Sequence, residues 1–161
     1  MKKKIQLLIA GGTGFIGFHL AKKAISKGWN VTSLSTKKPK RLRRLKKVKY
    51  LICDLSKKKK LKTILKNKYS YVVNLSGYVD HSNKIKTTQS HNYGCKNLSN
   101  LLLEHMPISF VQMGSSLEYG MLNRKTNEKS NCRPQSTYGI AKFKATTHLL
   151  NLYDKYNFPV T

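Results

Sequence analysis

Two residues four apart carry the clearest chemistry in this chain: Tyr138 and Lys142, within Tyr138-Gly139-Ile140-Ala141-Lys142. On a helix, positions i and i+4 share a face. The lysine ammonium then lies beside the phenol and favours the tyrosinate. A tyrosine held that way exchanges a proton with a substrate hydroxyl or carbonyl near neutral pH. A second group sits near the start, Gly11-Gly12-Thr13-Gly14-Phe15-Ile16-Gly17, in which Gly11, Gly14 and Gly17 form G-x-x-G-x-x-G. It follows an apolar run, Ile5–Ala10, and opens a helical pattern. Glycines there permit a tight turn, close approach of a pyrophosphate and close helix–strand packing. The helix N-terminus offers N–H groups and partial positive charge to phosphates. Acid–base chemistry beside a bound dinucleotide is the reading these residues support.

The elements that must position them follow from periodicity. Ile5–Ala10, Asn30–Ser35, Lys49–Cys53, Tyr71–Leu75 and Ile108–Met113 read as strands, and Phe158–Thr161 as the start of a sixth. Phe15–Lys27, Ser56–Lys66, Tyr93–Glu104 and Tyr138–Tyr153 read as helices, and Lys37–Lys47 as a basic connection that is partly helical. Strands alternating with helices predict an α/β fold, a Rossmann-type doubly wound parallel sheet with helices on both faces. The 161 residues suffice for one such domain.

Both motifs lie in longer segments. Pro134-Gln135-Ser136-Thr137-Tyr138-Gly139-Ile140-Ala141-Lys142 is similar to the P-x-S-x-Y-x-x-x-K segment of the short-chain dehydrogenases/reductases. Ala10-Gly11-Gly12-Thr13-Gly14-Phe15-Ile16-Gly17 resembles the extended branch of that family, the NAD-dependent epimerases and dehydratases that modify nucleotide sugars. Met113-Gly114-Ser115-Ser116-Leu117-Glu118-Tyr119-Gly120 resembles its S-S-x-x-x-Y-G segment, which puts Ser115 at the family's catalytic Ser/Thr, with Ser116 the weaker match by register. The resemblance implies a Ser115–Tyr138–Lys142 site. Ser115 would orient the reacting oxygen, Tyr138 would act as acid/base, and Lys142 would tune Tyr138 and hold the nicotinamide ribose. It also implies an adenine contact at Asp54 and Leu55, and a small-residue passage beneath the nicotinamide ribose at Leu75, Ser76 and Gly77. Gly94-Cys95-Lys96-Asn97-Leu98 resembles the family's G-T-x-N-L helix, but His91 stands where the family has Asn. The family's dehydratases carry two acids directly after the catalytic Thr. Ser116 and Leu117 occupy those positions here, so epimerase or reductase chemistry is expected instead.

NAD enzymes place an acid at the end of the second strand for the ribose 2′-hydroxyl. This chain has Ser35, Thr36, Lys37 and Lys38 there, a hydroxyl-and-cation set that suits a 2′-phosphate and leans toward NADP. The resemblance covers only about half of an extended member. Such proteins continue into a substrate domain, whose R-x-x-x-x-Y-G-P lead-in is not found here. Residues 1–161 are therefore expected to be the NAD(P)-binding part of an enzyme acting on a nucleotide sugar, or else a dinucleotide-binding module without turnover. The resemblance also implies a homodimer through the helices around Tyr93–Glu104 and Tyr138–Tyr153, which carry Leu98, Leu101, Leu102, Ile140, Phe143, Leu149 and Leu150.

The net charge of +26 raises a third possibility, a nucleic-acid-associated protein. Only five of the 32 basic residues are arginines, however (Arg41, Arg43, Arg44, Arg124 and Arg133), and the lysines spread along the chain. That pattern reads as composition bias rather than a polyanion site. Lys2, Lys3 and Lys4 before an apolar stretch mimic a secretory signal, but Gly11, Gly12, Gly14 and Gly17 interrupt it and no small-x-small cleavage site follows. No apolar run approaches the ~20 residues of a membrane span. Cys53, Cys95 and Cys132 are widely spaced and suggest neither metal nor disulfides, which fits a reducing cytoplasm.

Overall fold

Five short runs rich in Val, Ile, Leu and Tyr become strands: β1 (Gln6–Ala10), β2 (Asn30–Ser35), β3 (Val48–Ile52), β4 (Tyr71–Asn74) and β5 (Ser109–Gln112). The computed structural model describes residues 4–121 and 125–161. Lys2, Lys3 and Arg124, which entered the charge reading, lie outside the described residues. All strand pairs are parallel and the order is β3-β2-β1-β4-β5. The chain winds outward from β1 to β3, then returns across the sheet to place β4 on the other side of β1. That reversal opens a crevice at the carboxyl ends of β1 and β4.

Alternation along β1 divides the core. Leu7 and Ile9 pack with Val31, Val48, Ala21 and Ala24 against α1 (Phe15–Ser26). Leu8 and Ala10 face the opposite layer, built from α2 (Lys58–Ile64), α4 (Gly94–Leu102) and α5 (Thr137–Tyr156). Leu98, Leu102 and Leu149 belong to that core and are buried. Apolar side chains left outward on this side include Ile85 and Tyr93, which precede α4, and Ile140, Leu150, Tyr153 and Tyr156 on α5. The expected sixth strand amounts to one parallel bridge, Phe110 to Val160. Fully buried Phe158 anchors it against Phe110, their ring centroids 5.3 Å apart. Helix α5 runs to Tyr156, three residues past the predicted end, and Asn157 closes it in the left-handed region at φ 54°.

The largest departure from expectation precedes α4. The helix predicted from Tyr93 begins nine residues earlier. Asn83 caps α3 (Lys84–Thr88) by accepting the Lys86 N–H at 3.0 Å. The helix then passes through a π-helical turn, Gln89–Tyr93, into α4. Its buried face in this stretch is polar: Thr87, His91 and Asn92. His91 Nε2 lies 3.1 Å from the Tyr78 carbonyl. A carbonyl only accepts, so Nε2 carries the proton and Nδ1 is a bare acceptor, buried without a partner. Burial pushes the His91 pKa down to about 4. The Tyr78 carbonyl opposes that, and the charges of Lys142 and His81 add to it.

A histidine held neutral in the fold stabilises it only above its unfolded pKa. As pH falls below about 6.5 the unfolded chain takes up a proton that the native chain refuses until about pH 4. By pH 4 this withdraws about 3 kcal/mol of stability. Urea unfolding at pH 7 and pH 4.5 should show His91→Asn losing less stability on acidification than the parent. An equal loss in both would show that His91 does not carry the acid limb.

Candidate functional site

Gly11 leaves β1 with φ +81°, and a Cβ there would lie 2.8 Å from the Leu75 carbonyl carbon and oxygen. A Cβ on Gly17 would lie 2.6 Å from the Gly12 Cα. The turn is thus folded onto both the segment after β4 and the first turn of α1, and no larger residue fits either place. The N-cap of α1, Gly14, provides no side-chain acceptor, and the first turn contains no acid. Its leading N–H groups are left for an external anion.

These groups open into a cleft of about 370 Å³ at the strand-order reversal. Gly11, Thr13, Gly14, Phe15, Ile16 and Gly17 line one wall, Ser35 and Thr36 the end of β2, Asp54 and Leu55 the segment after β3, and Leu75, Ser76 and Gly77 the segment after β4. Of the sequence-predicted cofactor residues, Lys37, Tyr138 and Lys142 are not in that lining. The lining gains Leu34, Cys53, Val79 and Ser90, which sequence reasoning missed. Leu34 and Cys53 adjoin recognised positions, but nothing local marked Val79 or Ser90. Ser35 Oγ accepts the Thr13 N–H at 3.2 Å, tying the end of β2 to the glycine turn. Exposed Phe15 stands at the mouth of the cleft with the Arg43 guanidinium 5.9 Å above its ring. Small backbone at the floor and an uncapped helix start suit an elongated diphosphate-bearing ligand.

Tyr138 and Lys142 lie in the first two turns of α5, which Ser136 caps by accepting the Gly139 N–H at 3.0 Å. Lys142 is buried. Its Nζ donates to the Met113 carbonyl and lies 6.0 Å from the centre of the Tyr138 ring. Burial pulls the Lys142 pKa below the usual lysine range, and the Glu118 carboxylate is the first charge opposing that. The Tyr138 ring is stacked on His81, centroids 4.0 Å apart and planes 16° apart, and meets His91 edge-on at 4.9 Å. His91 in turn presses on Gly77, where a Cβ would collide with its ring. The His91 ring thus links Tyr138 to the Gly77 end of the cleft. Ser115 starts a short 3-10 turn, Ser116–Glu118, against which α5 packs. Its Oγ accepts the Leu117 N–H at 3.3 Å. The two histidines around Tyr138 had no sequence signal as a pair; the Ser115–Glu118 turn did, since S-x-x-E spells a capping box.

Comparison with known proteins agrees with the fold. No curated protein sequence matches the chain. Among solved structures, a UDP-glucose 4-epimerase from Thermotoga maritima, solved with UDP-glucose, superposes with a TM-score of 0.88 at 20% identity, over 96% of this chain and 53% of that one. The UDP-Glc/GlcNAc 4-epimerase of Campylobacter jejuni gives 0.88 at 20%, over 97% and 51%. The Thermus thermophilus UDP-glucose 4-epimerase in complex with NAD gives 0.84 at 21%, over 97% and 53%. At these identities the likeness shows the fold. The chain spans about half the length of the proteins it superposes on. The model of the NAD dependent epimerase/dehydratase family matches residues 7–161, nearly the whole sequence, and the chain belongs to that family.

Proposed function

We propose that residues 1–161 form the NAD(P)-binding Rossmann domain of an enzyme that oxidises, reduces or epimerises a carbon of a nucleotide-linked sugar. The observation that carries this reading is the chain of contacts from Gly77, at one end of the cleft, through the His91 ring to Tyr138, with the Lys142 ammonium 6.0 Å from the centre of the Tyr138 ring. A nicotinamide dinucleotide bound there supplies a hydride acceptor and donor. The α1 N–H groups at Phe15–Gly17 would receive the pyrophosphate, and Asp54 and Leu55 the adenine. Leu75, Ser76 and Gly77 lie under the nicotinamide ribose, which Lys142 also holds. Tyr138 takes the proton from the sugar hydroxyl as it becomes a carbonyl, or returns it. Ser115 orients the reacting oxygen, and the Lys142 ammonium stands 6.0 Å from the centre of the Tyr138 ring.

Finer features belong to the same proposal. Ser35 and Thr36 in the cleft lining, with Arg43 above Phe15 as a nearby cation, support NADP over NAD. The grip on the sugar nucleotide comes from a domain outside this sequence, in keeping with the half-length overlap. Outward Ile85, Tyr93, Ile140, Leu150 and Tyr153 support a homodimer through these helices, which sedimentation of a monomer at tens of micromolar would refute. Three free thiols, two of them buried, fit a reducing cytoplasm. Among the described residues no helix is long and apolar enough to cross a membrane.

Two measurements test the reading. In the full-length protein with a sugar nucleotide, Tyr138→Phe should lower kcat by about 10²- to 10⁴-fold. Turnover within about tenfold of the parent would remove Tyr138 from the chemistry. Calorimetric titration at fixed salt should show NADP binding tighter than NAD by about fivefold or more, roughly 1 kcal/mol. Tighter NAD would reverse the 2′-phosphate assignment. Dinucleotide binding with no sugar turnover in the full-length protein would favour the binding-module alternative.

A further inference from the structure

The turn after β5 holds the one buried carboxylate among the described residues. Glu118 is 6% exposed. Its Oε1 accepts the Ser115 backbone N–H at 2.8 Å, and its Oε2 accepts the Thr146 hydroxyl at 2.7 Å. Thr146 stands four residues after Lys142 and eight after Tyr138, on one stripe of α5. A single side chain therefore joins the backbone of Ser115 to the helix that carries the other two groups of the proposed site.

The same carboxylate answers an electrostatic problem. Lys142 is 4% exposed, and the hydrogen bond its ammonium makes is to a neutral carbonyl, Met113. A buried charge of this kind needs an opposite charge or it gives up its proton. The groups that act on Lys142 come from each element packed around it. Glu118 and then Cys95 favour the charged form, against the larger effect of burial. Cys95, on α4, is pushed up to about 12 by its own burial and carries no charge at neutral pH. His91, on the π-turn, is neutral there, and Tyr138 shares α5 with Lys142. Cys132, from the loop before α5, faces Glu118 as a thiol whose pKa burial and then Glu118 itself raise. Glu118 is left as the anion that acts on Lys142 at neutral pH.

We infer that Glu118 is a positioning residue, which fastens the Ser115 turn to α5 and supplies the counter-charge for the Lys142 ammonium. Its importance for turnover rests on the proposed roles of Ser115, Tyr138 and Lys142, but the contacts and the charge coupling do not. Glutamine at this position can still accept from Ser115 N–H and can donate to Thr146 Oγ1, so Glu118→Gln removes the charge and keeps both links.

The test is a ¹³C NMR titration of the Lys142 side chain in the 161-residue chain labelled at lysine, with its signal assigned by loss in Lys142→Arg. Glu118→Gln should lower the Lys142 midpoint by about one pH unit or more, with surface lysines unmoved. An unchanged midpoint in folded Glu118→Gln overturns the inference. A measurement on the parent chain guards against a variant that fails to fold. Coupling is reciprocal, so the Glu118 carboxyl carbon, labelled in turn, should shift with the same midpoint as Lys142, and its indifference to that step equally overturns the inference. Thr146→Val should leave the charge coupling in place and speed amide exchange at Ser115 by about tenfold or more; unchanged exchange would refute the fastening role. If the Lys142 midpoint moves while Tyr138→Phe keeps full turnover in the full-length protein, the coupling stands and the catalytic reading falls.

Discussion

The backbone of Gly11 lies so close to the Leu75 carbonyl that a single added carbon would sit 2.8 Å from it. That approach is possible because β1 and β4 are neighbours in register, Ala10 beside Asn74, so both chains leave the sheet at the same height. β1 turns upward into α1 and β4 continues into the loop that carries Leu75, Ser76 and Gly77. The cleft is the space between these two departures. Its floor is bare backbone because side chains at Gly11 or Gly17 have nowhere to go. The tight crossing and the position of the cleft both follow from the strand order, which sets β4 beside β1.

A polar thread carries the same geometry to the other side of the site. Asn74, at the end of β4, is buried; its Oδ1 accepts from both the Ser76 N–H and hydroxyl, and its Nδ2 donates to Gln112 Oε1 at 2.8 Å. Gln112 Nε2 donates to the Met113 carbonyl, which also receives the Lys142 ammonium. The cleft floor, the end of β5 and the first turns of α5 are thereby fixed to each other through satisfied hydrogen bonds. Buried polar groups contribute little net stability when paired but cost heavily when not, so such a thread holds geometry more than it adds free energy.

The five strands, their parallel pairing and the glycine turn were legible because each rests on a local signal: an apolar run of the right length, or glycine where backbone must come close. The segment from Lys84 to Tyr93 was not. Its inward face is Thr87, His91 and Asn92, and a buried polar face is invisible to a reading keyed to apolar periodicity. The cap that starts it, Asn83, sits in a run of polar residues with nothing to single it out. Tyr138, Lys142 and Ser115 were marked as candidates by motif, and their surroundings were not. His81 stacks on Tyr138 from a loop 57 positions earlier, a pairing that only the tertiary fold creates. Glu118 was visible as an acid in the right segment, and its S-x-x-E spacing was the cue to its structural part.

Thirty-two basic side chains against six acidic ones favour anionic ligands of many kinds, so binding strength alone says little about this site. Location is the decisive observable. The central claim is that a dinucleotide lies along the cleft from the Asp54 end to the Gly77 end. Titrating the ¹⁵N-labelled chain with NADP at 150 mM salt and mapping amide shifts tests it directly. Changes should concentrate at Gly11–Gly17, Ser35–Thr36, Asp54–Leu55 and Leu75–Gly77 and reach Tyr138. Shifts scattered over the lysine-rich surface, with those amides unmoved, would contradict it.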